Sequence, residues 1–505
     1  MAQLVWFKRD LRVHDQRALT AAAERGAILA LYVIEPDYWA EPDSAQRHWD
    51  FIRECLTELD AALRERGAGL LVRRGEVTAV LAALHAEFGI EAIHAHEETG
   101  NDWSYQRDRR VRAWCREQAI PFHEHPNFGV VRGLSDRDVW HDRWESRMRE
   151  RSVDPPQRLR PAVDPDGQCA EPLPLELGYG QRPCPERQEG GRRAGEALLA
   201  SFLTERGRDY RRAMASPLTG EWACSRLSPH IAYGTLSLRE IVQTHRRHWA
   251  EAAPGWRGSL KSFESRLHWH CHFIQKLEDQ PDIELRNLHR GYDGMREDDF
   301  DETLFHAWCE GQTGLPFVDA CMRMLHQTGW LNFRMRAMIM AVAGYHLWLH
   351  WRRPALHLAR LFTDYEPGIH YCQSQMQTGT TGINAVRIYN PIKQSHEQDP
   401  EGSFIRRFVP ELSGVPAPWI HEPWRLPPAR QRNYGAVMGT DYPTPIVDPE
   451  AAARLARQRI REHRARHDMH AEADRIRQRH ASRKRSSQRR RARTTTNPSQ
   501  GELDF

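Results

Sequence analysis

Leu4-Val-Trp-Phe-Lys-Arg-Asp-Leu-Arg-Val-His-Asp15 decides the fold: four apolar residues run without alternation into a charged loop. A short, continuously apolar run suits a strand covered on both faces, as in a parallel sheet flanked by helices. Outward from it, Ile28–Ile34, Leu70–Val72 and Ala92–His96 repeat the pattern, with helix-like stretches at Ala45–Glu65 and Thr78–Phe88. Strands and helices alternating in this way predict a doubly wound α/β domain over residues 1–135. No G-x-G-x-x-G loop follows the first strand, so an ordinary dinucleotide site is not expected there.

Residues 136–195 read as a linker, rich in Pro, Gly and charge from Pro155 to Arg193. From 196 to 467 the pattern is almost wholly helical, which predicts a second, all-α domain. Residues 468–505 are basic and poor in apolar side chains and are expected to form a disordered tail. No internal repeat is evident.

With 505 residues, 40% of them hydrophobic, and 17 tryptophans, the chain can build more than one core. Its longest apolar stretch, Ala337–Trp351, is broken by His346 and His350 and reads as a buried helix, not a membrane span. The nine cysteines form no C-x-x-C pair, which argues against a disulfide framework, a zinc site or an iron–sulfur cluster. The N-terminus lacks the layout of a signal peptide, so a reduced, cytoplasmic setting without membrane contact is expected. Net charge is +4, but Arg475–Arg493 holds ten basic residues and no acid. Only Glu502 and Asp504 follow, so the chain before that tail is about four units negative. Nucleic-acid affinity must therefore come from a local patch or from the tail.

Several motifs follow one another along the chain. Ser225-Arg-Leu-Ser-Pro-His lies where a turn opens a helix, and hydroxyls and N–H groups at such a place can cap the helix or hold phosphate. Downstream come Thr313-Gly-Leu-Pro-Phe-Val-Asp-Ala-Cys-Met-Arg and Thr328-Gly-Trp-Leu-Asn-Phe-Arg-Met-Arg. Asp364-Tyr-Glu-Pro-Gly-Ile-His, Arg387-Ile-Tyr-Asn-Pro and Phe404-Ile-Arg-Arg-Phe-Val-Pro-Glu-Leu complete the series. With the opening stretch, and in this order over roughly residues 1–425, they resemble the photolyase/cryptochrome family.

The resemblance implies an N-terminal antenna domain and a helical domain enclosing FAD. In that domain Tyr210, Cys224, Ser225, Arg226, Leu227 and Ser228 would hold the cofactor's phosphates, Cys224 standing where the family usually has Thr. Arg336 and Asp364 would pair across the flavin, with Glu366 as a second acid. A buried guanidinium requires such a carboxylate. His370 is placed near flavin N5, where titration near neutrality would couple to the flavin. Trp269 and Trp330 match pocket aromatics that stack on a flipped-out dimer, core packing being the alternative for each. Arg266, Phe333 and Ala337 depart from the family's usual pocket residues. Trp351 fits the middle of the family's electron relay, with Tyr371 or Cys372 at the proximal position and Trp308 or Trp348 on a rerouted path. Arg334, Arg387, Arg406 and Arg407 are candidate DNA-phosphate contacts, Lys393 a weaker one.

The function implied is light-driven repair of pyrimidine dimers in DNA, cyclobutane dimers ahead of (6-4) photoproducts, by a monomer. A blue-light photoreceptor is the alternative, and a light-independent flavin-bearing DNA-binding protein a third reading. Glu97-Glu98-Thr99-Gly100-Asn101, ending a strand, is a candidate place for an antenna pigment, a folate or a deazaflavin. The chain's last residues include Gln500, Leu503 and Phe505, in the Q-x-x-L-x-F spacing of peptides that bind a bacterial sliding clamp.

Overall fold

The computed structural model describes residues 2–164 and 183–482. Its N-terminal domain is a sheet of five parallel strands: β1 (Ala2–Phe7), β2 (Ala27–Ile34), β3 (Leu70–Arg74), β4 (Ile90–His96) and β5 (Phe122–His125). Their order is β3-β2-β1-β4-β5. Every residue of the central β1 is buried, because alternate side chains feed two separate cores. Val5 and Phe7 join Tyr32, Trp49 and Leu56 on one face. Leu4 and Trp6 join Leu29, Leu31, Leu81 and Val111 on the other. This two-sided burial is the physical source of the unalternating apolar runs.

The helices Gln46–Arg64 and Val77–Phe88 lie where the periodicity placed them. A fourth crossover helix, Asp102–Glu117, starts at Asn101, whose side chain accepts the Ser104 N–H. β5 carries the sequence Phe-His-Glu-His, and its half-buried edge position explains why no apolar run announces it.

Strand order reverses at β1, so the loops after β1 and β4 flank a crevice of the kind in which open α/β sheets bind ligands. Here side chains close that crevice. Arg107 pairs with Glu35 at 3.0 Å and Glu98 at 2.5 Å, and Lys8 lies 3.0 Å from Asp108. The cavity left beside Glu97–Thr99 is about 10 Å³, room for a single water.

Beyond β5, helices dominate the described residues, with no further strand among them. The long helix Arg257–Asp279 packs on Pro367–Thr378. Their approach is so close that a Cβ on Gly368 would fall 2.6 Å from the Ile274 backbone. Behind them, helices Pro316–Thr328 and Phe333–Ala341 bury Met322, Met324, Met335 and Met338 in the largest core. Gly329, with φ +66°, ends the first of these helices and turns the chain toward Trp330.

The chain from 468 onward does not begin as the disordered tail expected. His470–His480 is a helix whose Ala473, Ile476 and His480 form a buried stripe at i, i+3 and i+7. His480 reaches Gln280 at 2.8 Å and His289 lies 3.3 Å from Glu472, which docks the helix on the domain. The intervening arginines conceal that stripe in the sequence.

Candidate functional site

A cavity of about 890 Å³ opens in the helical domain. Its walls come from helices Arg257–Asp279 and Pro367–Thr378, the Cys224–Ser228 turn, and the Trp330–Arg336 segment. Tyr210, Cys224, Ser225, Arg226, Ser228, Trp269, Trp330, Arg336, Asp364, Glu366 and His370 all line it, although they are scattered over 160 positions of sequence. Of the proposed cofactor contacts only Leu227 does not; its side chain is buried in the neighbouring core.

Arg336 and Asp364 form a two-pronged pair, Nη1 to Oδ1 at 3.0 Å and Nη2 to Oδ2 at 2.8 Å. Arg336 Nε also donates to the Leu331 carbonyl at 2.6 Å, and the guanidinium rests 4.0 Å from the centre of the Phe362 ring. Burial works against ionisation of Asp364, but the charge and hydrogen bonds of Arg336 outweigh it and hold the carboxyl below its ordinary range.

Glu366 is held by a residue that sequence reading passed over. Arg9, in the loop after β1, crosses from the other domain and places Nη2 3.2 Å from its Oε2. Even so, burial prevails and pushes the Glu366 carboxyl up to about 7. Arg9 lies inside the first family motif, but nothing in the sequence names its partner.

The Cys224–Ser228 turn is fixed from outside the cavity. Arg206 donates to the carbonyls of Trp222 at 2.7 Å and Cys224 at 2.6 Å. Gln188 accepts from Arg226 Nε at 3.0 Å and donates to the Arg226 carbonyl at 2.7 Å, holding that residue at φ +60°. The Arg226 guanidinium lies 4.1 Å from the centre of the Trp330 ring, and its burial draws the group down to about 10.

His370 lines the cavity, but its expected titration near neutrality is corrected. Its Nε2 donates to the Ala355 carbonyl at 2.7 Å, and burial draws the imidazole down to about 4. His270, also in the wall, is drawn down to about 3 for the same reason. Both rings are neutral at physiological pH.

Other expected residues lie elsewhere. Trp351 is fully buried away from the cavity, its indole donating to Asn287 at 2.8 Å. It contacts Tyr371 at 6.4 Å between ring centres; Tyr371 lies 6.3 Å from Tyr365, which reaches the cavity. Trp308 and Trp348 are core residues that do not line the cavity either. Arg406 spends its guanidinium on the carbonyls of Glu401 and Val415, and Arg407 pairs with Glu221 at 2.7 Å. Arg334 approaches Gln394, and Arg387 is exposed on a nearby loop. None of these four arginines touches the cavity. Gln500, Leu503 and Phe505 lie outside the described residues. Among the described residues there is no cluster suited to a metal ion and no helix long and apolar enough to cross a membrane.

The cavity has the size and donor set for a dinucleotide: space within the range of cofactor pockets, a turn of hydroxyls and N–H groups, and a fixed guanidinium–carboxylate pair. The buried Asn332 Oδ1, in the same wall, is an acceptor with no protein donor. Those features suit a dinucleotide held in the helical domain of a two-domain protein, and the family match says which dinucleotide. Residues 3–132 match the family profile described as DNA photolyase, and residues 263–462 that described as the FAD binding domain of DNA photolyase.

A deoxyribodipyrimidine photo-lyase of Streptomyces griseus is 32% identical, covering 90% of this chain and 98% of its own. A cryptochrome DASH of Natronomonas pharaonis is 29% identical, covering 89% and 98%. Among solved structures, the Synechocystis cryptochrome superposes with a TM-score of 0.81 at 25% identity, covering 91% of this chain and 99% of its own. The archaeal photolyase of Sulfolobus tokodaii, solved with two FAD molecules, gives 0.76 at 27%, covering 92% and 100%. The chain belongs to the photolyase/cryptochrome family.

Proposed function

We propose that this protein reverts pyrimidine dimers in DNA, cyclobutane dimers foremost, under blue light. The observation that carries the reading is the cavity itself. Its carboxylates among the described residues, Asp364 and Glu366, are each engaged by an arginine, and aromatic Trp269 and Trp330 line the same space. Reduced FAD, when bound, would supply the light-absorbing electron donor. Arg336 would place positive charge beside the flavin, and Asp364 would fix that charge in position. Trp269 and Trp330 would stack on a dimer taken out of the helix, excluding water as they do so. DNA repair by relatives supports the activity, since the similar protein of Streptomyces griseus is a deoxyribodipyrimidine photo-lyase.

A photoreceptor role is the second reading. It is favoured by the aromatic path that leaves the cavity, in which Tyr365 and Tyr371 precede Trp351, so that tyrosines stand for part of a tryptophan relay. An antenna pigment, a folate or a deazaflavin, remains part of the proposal, but outside the crevice beside Glu97–Thr99 that side chains close, as does clamp binding through Gln500, Leu503 and Phe505 of the basic tail. The test is chromatographic: reduced, FAD-loaded protein receives oligonucleotides carrying each photoproduct, in blue light and in darkness. Light-dependent recovery of intact pyrimidines is the expected result. Persistence of both lesions with FAD bound and reduced would leave the photoreceptor reading.

A further inference from the structure

Trp269, Phe273 and Lys276 form a row on the Arg257–Asp279 helix, at i, i+4 and i+7, and all three line the cavity. Two turns of helix spread them along about 10 Å. The rings of Trp269 and Phe273 are stacked, with centres 5.5 Å apart and planes 28° from parallel. The Lys276 ammonium lies 5.0 Å from the centre of the Phe273 ring. An aromatic shelf ending in a cation is the arrangement with which proteins hold single nucleic-acid strands: bases stack, and the backbone phosphate meets the charge.

Lys276 lacks a partner of its own. It is 9% exposed, and among the described residues its ammonium meets no carboxylate and no hydrogen-bond acceptor. The ionisable groups around it are Cys372 and the cationic or basic Arg137, His272 and His480. Arg137 is turned aside, donating to His272 at 2.7 Å and lying 3.8 Å from Asp279. The side chain is largely buried and its ammonium opens on the cavity without a counter-charge, so an anion entering the cavity would complete it. Among the described residues no free carboxylate in the wall would repel that anion, since Asp364 and Glu366 are paired with Arg336 and Arg9. The wall also holds the neutral amides Gln373, Gln377 and Asn384.

We propose that Lys276 binds a phosphodiester of the lesion strand, at the dimer or next to it, while Trp269 and Phe273 carry the bases. This assignment rests on the repair reading of the cavity and adds a backbone contact to it.

The test uses full-length, FAD-loaded wild type, Lys276→Met and Lys276→Arg. Each is titrated over a salt series with a single-stranded oligonucleotide carrying one cyclobutane dimer, with its undamaged counterpart, and with a dimer strand bearing uncharged methylphosphonates at and beside the lesion. FAD content and circular dichroism establish that each variant is folded. Wild type should prefer the dimer strand. Lys276→Met should bind it roughly tenfold more weakly, with a salt slope smaller by about 0.7, and Lys276→Arg should recover most of the loss. On the methylphosphonate strand, wild type and Lys276→Met should converge. Equal affinity and slope for wild type and Lys276→Met on the charged dimer strand would overturn the assignment. Loss of FAD from a folded Lys276→Met would overturn it differently, by showing that the anion is the cofactor's own. A wild type indifferent to the dimer would bring down the repair reading and the assignment together.

Discussion

Arg9 and Glu366, 357 positions apart, meet across the domain boundary at 3.2 Å, and this contact ties the parallel sheet to the floor of the cavity. Arg9 also donates to the carbonyls of Ala232 at 2.9 Å and Tyr365 at 2.8 Å. One side chain of the α/β domain thus braces the segment that carries both acids of the cavity. With the Glu366 carboxyl pushed up to about 7, it is Glu366 rather than His370 that titrates near neutrality beside the cavity.

That shift has a sign. A carboxyl whose folded pKa stands near 7, above its ordinary 4.5, stabilises the fold below the lower value, and this contribution is lost as pH rises through the upper one. Glu366→Gln should therefore gain on wild type between pH 5 and 8, by up to about 3 kcal/mol in urea unfolding. A difference that stays constant with pH would refute the assignment.

Removing Arg9 should cost more than removing its partner. Arg9→Ala leaves a buried carboxyl and two carbonyls unmatched, at a loss of about 3–5 kcal/mol. In the Arg9→Ala/Glu366→Gln double variant part of that loss should be recovered, and denaturant unfolding of the four-member cycle measures it. Strict additivity would mean that the two side chains do not interact.

The Arg336–Asp364 pair should govern cofactor retention. Asp364→Asn removes the charge but keeps the shape, so Arg336 would lose its fixed position; the ratio of flavin to protein absorbance after gel filtration should fall well below that of wild type. Arg336→Lys should fare no better, because one ammonium cannot replace two parallel hydrogen bonds. Full flavin occupancy in both variants would count against the pair as the cofactor clamp.

His370 makes the opposite pH prediction from Glu366. Its folded pKa of about 4 lies below the ordinary 6.5, so its contribution is present above 6.5 and is lost as pH falls toward 4. Acid unfolding of His370→Gln should be shallower than that of wild type, by about 3 kcal/mol over that interval. Above about pH 7.5 the two proteins should keep a constant difference in stability. A wild-type transition at neutral pH that His370→Gln abolishes would contradict the buried, neutral imidazole.

Much of the cavity was legible because its residues sit in short motifs. Ser225, Ser228, Arg336 and Asp364, singled out by the family motifs, all line one space. The resemblance puts Trp351 at the middle of an electron relay, with Tyr371 or Cys372 proximal; packing does set Tyr371 beside it, but Tyr365, which the motifs did not single out, is the ring that reaches the cavity. Arg406 and Arg407 have the right charge for DNA, but carbonyls and Glu221 occupy them.

What the sequence determined by itself is local. The unalternating apolar runs of β1, β2 and β3 required burial on two faces, and therefore a parallel sheet between helices, because successive side chains on a strand point to opposite sides. Tertiary structure alone decided the rest. The pairing of Arg9 with Glu366, the seating of the His470–His480 helix and the exposure of Lys276 to the cavity all depend on segments far apart in the chain. So do the pKa values of Glu366 and His370, since what shifts them is loss of water, and desolvation exists only once the surrounding walls have come together.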